Sequence, residues 1–241
     1  MTQAGNKDSF DMPDFELPEF NAADFDMQDS IAEEDTRYMK PKIYESIKQE
    51  NIMYDNALKL AQALKLAKGE RTNVLISGSF IFGDFIEAYV RIHNIKCKRM
   101  VISTLSLSQE NIDSLQNLLI GNFVDKLDMI ISIYFYANER RSLVPYMYKE
   151  LDIDNKFQLA VAGSHTKTCI FETLGGKYIV IHGSANLRSS DNIEQFTIEE
   201  NEELYRFYEE FQDKILDRYK TINKPIRGKT VWNLITTKNF K

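Results

Sequence analysis

The chain contains three histidines, and only His165 is followed two residues later by a lysine, Lys167. In an extended segment, side chains two residues apart project from the same face, so we expect the imidazole and the ammonium group to point together. Farther along, Ser184 and Asn186 stand at the same spacing. A predicted hairpin between the two pairs would bring all four side chains to one place. A nucleophile, a fixed cation and neutral donors are what phosphoryl transfer without a metal requires.

The other two histidines are expected to have less specific roles. His93 ends a predicted helix beside Asn94, a position that is usually on the surface. His182 ends a predicted strand, where we expect either a core residue with satisfied hydrogen bonds or a support for the site. Neither has a lysine two residues later, since position 95 is Ile and position 184 is Ser.

The residues around His165 resemble the HKD motif of the phospholipase D superfamily, in which His-x-Lys is followed by a Gly-Ser element with an asparagine and then by an acidic residue. The segment from Ser77 to Asp84, between a predicted strand and a predicted helix, also looks like the opening βα unit of these domains. The resemblance extends over residues 70–215 and leaves both ends of the chain unexplained. The matching residues are His165, Lys167, Gly183, Ser184, Asn186 and Glu194.

Two features depart from the family pattern. Glu172 stands where the motif usually has Asp, an acid whose role in the family is generally structural. The segment between Lys167 and Gly183 also looks roughly four residues longer than usual. Every residue that the resemblance would place against the phosphate is nevertheless present.

The resemblance implies a mechanism. His165 would attack phosphorus and form a covalent phosphohistidine, while a second histidine of the same type protonates the leaving oxygen and later activates water. Lys167 and Asn186 would stabilise the developing charge. Ser184 and Glu194 would hold the histidines in the correct tautomer. No metal or other cofactor is expected.

The chain has one His-x-Lys motif, whereas the family mechanism uses two histidines. Members with a single motif form a two-fold dimer in which the two motifs face each other across the axis. The resemblance therefore implies a homodimer with one composite site.

The substrate is predicted from the charges and from the family resemblance. Small members with a single motif are typically nucleases, so we expect a phosphodiesterase that acts on DNA or RNA, with Gly183 and Arg188 contacting the substrate. Binding should tolerate different sequences and weaken with salt. The cations that could contact phosphates are Lys98, Arg99, Arg140, Arg141, Arg188, Lys224, Arg227 and Lys229.

Two other interpretations remain open at this point. In the first, the four residues of the pocket are ordinary strand and loop residues with no shared role. In the second, the fold is retained without catalysis, Glu172 marks a loss of activity, and the chain serves as a nucleic-acid-binding or structural assembly protein.

The elements that would position the pocket alternate between strand and helix. This alternation predicts an α/β fold with a central mixed sheet flanked by helices, which the resemblance also implies. The buried stripe of the last helix is predicted to be Leu204, Phe207, Phe211, Ile215 and Tyr219. The predicted strands are 73–77, 99–104, 127–135, 157–162, 167–172 and 177–182, and the predicted helices are 43–66, 84–92, 108–119, 140–151 and 200–219.

Charge is distributed unevenly along the chain. Residues 1–36 carry eleven carboxylates and one lysine, a net charge of −10 within a total of −6, which leaves +4 for the remainder. Pro13 and Pro18 interrupt any helix there. This composition predicts a disordered acidic tail that is solubilising, docks on a protein partner, or folds back over the basic body as a phosphate mimic. The expected organisation is a tail over 1–36, an N-terminal helix within 37–69, a phospholipase D-like domain over 70–220 and a basic tail over 221–241.

The remaining composition restricts the cellular setting. The apolar fraction of 43% is that of a protein with a buried core, and no apolar run reaches the roughly 18 residues that a membrane span needs. The two cysteines predict neither a disulfide framework nor a site with cysteine ligands alone. With no visible secretory signal, we expect a cytoplasmic protein that does not bind membranes.

Overall fold

The computed structural model describes residues 57–76, 80–188 and 192–221, together with the backbone of residues 48–54. All of them belong to one compact unit, Lys42–Lys241. The predictions for the acidic tail, for the segment 222–241 and for Ser77 to Ser79 lie outside these residues. Within the described ranges, no helix combines the length and the apolar character that crossing a membrane requires.

Strands and helices alternate along most of the described chain, as the sequence predicts. The strands are β1 (Lys48–Tyr54), β2 (Glu70–Ile76), β3 (Cys97–Thr104), β4 (Leu127–Ser132), β5 (Phe157–Ala162), β6 (Thr168–Thr173), β7 (Tyr178–Gly183) and β8 (Glu194–Glu200). The helices are α1 (Ala57–Ala63), α2 (Phe82–Ile92), α3 (Gln109–Ile120), α4 (Ile133–Glu139), α5 (Leu143–Leu151) and α6 (Glu202–Tyr219).

The described strands form one mixed sheet in the order β1-β2-β8-β7-β6-β3-β4-β5. The pairs β1–β2, β3–β4 and β4–β5 are parallel, and the four pairs between β2 and β3 are antiparallel. Six strands therefore run in one direction, and only β6 and β8 run in the other. The carboxyl ends of the six strands meet at one edge of the sheet, which we call the carboxyl edge.

Apolar side chains fill both faces of the sheet. Along β4, Met129 and Ile131 face the layer of α1, α2, α3 and α5, whereas Ile130 faces α6. All three are fully buried, as is typical of a parallel strand covered on both sides. The predicted α/β class, a central mixed sheet flanked by helices, is confirmed.

Several predicted elements are confirmed closely. Strand β5 has the predicted bounds, α2 and α3 differ from prediction by one or two residues, and the hairpin β6–β7 turns at Thr173–Gly176. Helix α3 begins with a capping box, in which Ser108 N donates to Asn111 Oδ1 over 2.9 Å.

The predicted N-terminal helix over 43–66 is wrong for residues 48–54. These residues form β1, which pairs in parallel with β2 from Lys48–Glu70 to Tyr54–Ile76. Among the described residues of the predicted range, only Ala57–Ala63 is helical. Local sequence preference is weak over so short a segment, and backbone hydrogen bonding to a sheet edge overrides it.

The predicted strand 127–135 begins at the correct residue and is three residues too long. Strand β4 ends at Ser132, whose hydroxyl accepts a hydrogen bond from Phe135 N over 3.0 Å and caps α4. The apolar residues that follow Ser132 have strand-like composition, so the capping contact decides the boundary. The predicted helix 140–151 is correspondingly shorter, and α5 begins at Leu143.

Strand β8 was not predicted. Its sequence holds three carboxylates, and two of them are buried in ion pairs: Glu199 with Arg71 at 3.3 Å and Glu200 with Lys177 at 3.2 Å. Such partners come from elsewhere in the chain, and local composition does not reveal them.

The buried stripe of α6 is also corrected. Leu204 is buried as predicted, and Phe207 and Ile215 are half-buried against the same core. The other buried residues are Tyr205, Gln212 and Leu216, while Tyr219 is 45% exposed. Gln212 is buried because its side-chain amide donates to Thr168 Oγ1 over 2.8 Å. An apolar pattern cannot anticipate a buried polar contact of this kind.

Candidate active site

The predicted site residues lie on two loops at the carboxyl edge of the sheet or at the strand ends beside them. The first loop, Gly163–Lys167, connects β5 to β6. The second begins at Ser184 after β7 and leads to β8. Gly183 N donates to Lys167 O over 3.2 Å, which joins the two loops.

The first loop is held by hydroxyl groups that the sequence analysis did not identify. Ser103, near the end of β3, lies 2.8 Å from Thr166 Oγ1 and donates to Thr166 O over 3.2 Å. Ser164 Oγ lies 2.8 Å from the same Thr166 Oγ1 and accepts a hydrogen bond from Thr166 N over 3.2 Å. Polar residues at the end of an otherwise apolar strand, as in Ile102-Ser103-Thr104, were the available signal.

His165 and Lys167 point together, as predicted from their spacing. His165 is exposed, and Lys167 Nζ lies 3.2 Å from His165 Nδ1 and 3.2 Å from His165 O. An ammonium group only donates hydrogen bonds, so this contact requires Nδ1 as acceptor and places the proton of the neutral ring on Nε2. Partial burial lowers the pKa of Lys167, and the negative charge of Glu194 opposes that shift.

Gly183 is required by the close approach of two strands. It pairs with Phe196 on β8, and a Cβ at this position would press on Gln195 O and lie 2.6 Å from Phe196 Cα. The glycine of the motif therefore lets β7 and β8 come together at the site.

Ser184 is bonded to the start of β8. Its hydroxyl donates to Glu194 Oε2 and accepts from Gln195 N over 3.0 Å. Ser184 N donates to Gln195 O over 2.9 Å. The two predicted residues Ser184 and Glu194 are thus in direct contact.

The segment after Ser184 is fixed between β3 and α2. Leu187 N donates to Thr104 Oγ1 over 3.4 Å, and Leu187 O accepts from Gly83 N over 2.9 Å. Asn186 is half-buried, and its Oδ1 has no hydrogen-bond donor among the residues that the structure describes. Arg188, at the end of this segment, is exposed.

Glu172, the departure from the HKD pattern, lies away from the site. It lies on β6 four residues after Thr168, which is about 13 Å along the strand. Its carboxylate accepts a hydrogen bond from Lys98 Nζ over 2.6 Å. Arg99, also expected to contact phosphates, is held by Asp128 at 2.7 Å and by Asp213. Lys98 and Arg99 therefore form ion pairs at the end of β3 that is far from the site. Lys224, Arg227 and Lys229 lie outside the described residues.

The other histidines differ from expectation. His93 is half-buried rather than on the surface, with Nε2 2.8 Å from Ala61 O and its ring packed against Tyr89 at 4.8 Å with a tilt of 54°. His182 packs against Tyr208 at 5.8 Å, and its buried Nε2 has no hydrogen-bond partner in the described ranges. Burial lowers the pKa of His182, against the influence of Glu199.

Exposed apolar side chains lie beside the site and were not anticipated. Ile133 is 57% exposed, Tyr134 74% and Ile193 80%. Ile133 is close to the first loop, since a Cβ on Gly163 would lie 3.8 Å from its side chain, and Ile193 directly precedes Glu194. Large exposed apolar groups beside a polar site are typical of surfaces that bind a partner.

The chemistry available at this edge is that of an exposed imidazole with an adjacent ammonium group and a hydroxyl bonded to a carboxylate. Within the described part of the chain, no three histidine, cysteine, aspartate or glutamate side chains form a group that could hold a metal ion.

Comparison with known proteins gives a likeness in fold alone. No family model and no curated protein sequence matches the chain. Among solved structures, the archaeal chromatin protein TrmBL2 is 10% identical with a TM-score of 0.39, and the match covers 62% of this chain and 53% of TrmBL2, about half its length. Nuc from Salmonella typhimurium, a phospholipase D family member, is 17% identical with a TM-score of 0.39 and covers 52% of this chain and 81% of its own. NucT from Helicobacter pylori is 15% identical with a TM-score of 0.44, and the match covers 63% of this chain and 99% of NucT. The chain is similar in fold to these solved structures, one of which is a phospholipase D family member.

Proposed function

We propose that this chain is a phospholipase D-like phosphodiesterase that cleaves nucleic acid through a phosphohistidine at His165. The observation that carries the proposal is the pairing of the exposed His165 ring with Lys167 Nζ at 3.2 Å, on a loop joined by a hydrogen bond to the strand end that bears Ser184. An exposed imidazole beside a fixed cation suits attack on a phosphate diester.

Lys167 would change partner when substrate binds. In the free protein its ammonium group donates to neutral acceptors, His165 Nδ1 and His165 O. An anionic phosphoryl oxygen is a stronger acceptor, so a bound phosphate would draw Lys167 away from the ring. Nδ1 could then carry the proton, and Nε2 would be free to attack.

Asn186 would supply a neutral contact to the same phosphate. Its buried side-chain oxygen lacks a donor within the described residues, and buried polar groups in folded proteins normally find a partner. Rotation of the amide by 180° exchanges its oxygen for its NH₂ group, which would donate to a phosphoryl oxygen. Arg188, exposed at the end of the same segment, would contact a neighbouring phosphate.

The site would be completed by a second copy of the chain. The reaction needs a second acid and base, and the chain has one His-x-Lys motif. The exposed apolar groups Ile133, Tyr134 and Ile193 lie beside the motif, where a two-fold partner would cover them. Two His165 side chains would then face one phosphorus atom.

The test is cleavage of labelled DNA and RNA in EDTA. We expect His165→Ala to lower the rate by about a thousandfold or more and Lys167→Ala by about a hundredfold or more. Lys214→Ala is the matched control, because Lys214 is an exposed lysine of α6 paired with Glu210 at 3.2 Å, and it should retain full activity.

A second measurement addresses the covalent step. Substrate with a radiolabelled scissile phosphate should transfer label to the wild-type protein and not to His165→Ala, and the bond should be lost in acid and survive alkali. Cleavage that persists in His165→Ala would refute the proposal. Salt-sensitive binding without cleavage in any variant would instead establish a binding protein of the same fold.

A further inference from the structure

A cavity at the opposite edge of the sheet has no role in the proposed reaction. It has a volume of about 560 Å³ and lies between the end of α2, the segment after α1 and the β6–β7 turn, Thr173–Gly176. Five residue steps along β6 separate it from Thr168, about 17 Å at the usual rise of a strand. Ligand pockets commonly have volumes of 300 to 1,000 Å³, so the cavity has room for a small molecule.

The charge of the cavity is positive. Its twelve lining residues include Lys65, Lys96 and Lys177 and no carboxylate. Lys177 is paired with Glu200 at 3.2 Å, whereas no carboxylate of the described residues pairs with Lys65 or Lys96. Lys65 is exposed, and Lys96 Nζ lies 3.8 Å from the centre of the Phe123 ring. Lys96 Nζ also donates to Gly121 O over 3.4 Å. With no carboxylate of the described residues paired to them, these two lysines favour an anionic ligand.

The walls of the cavity are apolar and aromatic. Leu66, Ile95 and Ile179 line it together with the neighbouring rings of Tyr89 and His93. Tyr89 is 4% exposed, and no hydrogen bond to its hydroxyl is formed by the residues that the structure describes. A hydroxyl of a residue that lines a cavity is a group to which a bound ligand can form a hydrogen bond.

We propose that this cavity is a binding site for a mononucleotide, separate from the catalytic edge. The lysines would bind the phosphate as point charges, and the apolar and aromatic walls would hold the base. The Tyr89 hydroxyl would provide a polar contact. A site of this kind would let the protein sense nucleotides without using the residues that cut the chain.

The test is calorimetric titration of the full chain with AMP, adenosine and inorganic phosphate. We expect one AMP molecule to bind per chain. The affinities for adenosine and for phosphate should each be lower by about tenfold or more, because each of them makes only part of the contacts of AMP. Lys65→Glu should weaken AMP binding about tenfold or more by reversing one charge. Gly175→Phe should do the same by filling the cavity, since a Cβ at Gly175 has open surroundings and meets Thr173 Oγ1 only at 3.7 Å.

Two controls separate this site from the catalytic one. Lys220→Glu makes the same charge change on an exposed lysine outside the cavity and should leave AMP binding within about twofold. His165→Ala should bind AMP as the wild type does, whatever its effect on cleavage. The proposal is overturned if AMP does not bind, if phosphate binds as tightly as AMP, if His165→Ala removes binding, or if Lys65→Glu and Gly175→Phe leave it intact.

Discussion

At Gly183 the backbones of β7 and β8 approach so closely that any side chain would collide with the chain opposite. We expect Gly183→Ala to lower the free energy of unfolding by about 2 to 3 kcal/mol, because backbone atoms of Gln195 and Phe196 must shift to admit a methyl group. Gly175→Ala is the matched control, since its Cβ would make only an ordinary contact at 3.7 Å, and it should change stability by less than about 0.5 kcal/mol. Urea denaturation measures both, and equal losses would contradict the close approach.

His182 predicts a dependence of stability on pH. Burial lowers its pKa from the usual 6.5 in the folded state, so below pH 6.5 the unfolded chain binds a proton that the folded chain resists. Stability should therefore fall as pH decreases from 6.5 towards the lowered folded pKa, by up to about 1 kcal/mol per pH unit.

Replacement of the imidazole isolates this effect. His182→Leu cannot take up the proton. Between pH 7.5 and 5.5, the free energy of unfolding of the wild type should therefore fall relative to that of the variant. Parallel pH profiles of the two proteins would show that His182 titrates equally in both states.

At the scale of elements, α6 is joined to the sheet by the ion pairs of Arg99. This side chain contacts Asp128 on β4, which is 1% exposed, at 2.7 Å, and Asp213 on α6. Asp128→Ala should lower the free energy of unfolding by about 3 kcal/mol, because it leaves a half-buried guanidinium with less compensation. Glu210→Ala, which breaks an exposed pair within α6, should change it by less than about 0.5 kcal/mol. Comparable effects would show that the buried Arg99–Asp128 pair contributes no more to stability than an exposed one.

At the scale of the whole molecule, the proposed shared site predicts that an inactive copy suppresses an active one. If wild type and His165→Ala are mixed equally and allowed to exchange subunits, only dimers with two wild-type copies would retain both histidines. Activity should fall to about a quarter of that of the same total amount of wild type. Lys214→Ala in place of His165→Ala should leave activity unchanged, and a fall to one half would mean that each copy acts alone.

The sequence anticipated those parts of the fold that depend on local pattern. Periodicity and turn residues predicted β5, α2, α3 and the β6–β7 hairpin nearly to their ends. The period-two spacing likewise predicted that His165 and Lys167 point together, as the 3.2 Å contact shows. Both follow from interactions between residues that are close along the chain.

Tertiary structure decided what depends on distant partners. Lys48–Tyr54 is a strand because β2 offers its edge, and β8 is a strand because Arg71 and Lys177 neutralise its buried acids. Only the assembled sheet brings Ser103 into contact with Thr166 of the first loop and leaves the exposed Ile133 beside that loop. The amino-acid sequence alone thus predicted the local geometry of His165 and Lys167. Long-range pairing, whose energy no short segment contains, determined the surroundings of these two residues.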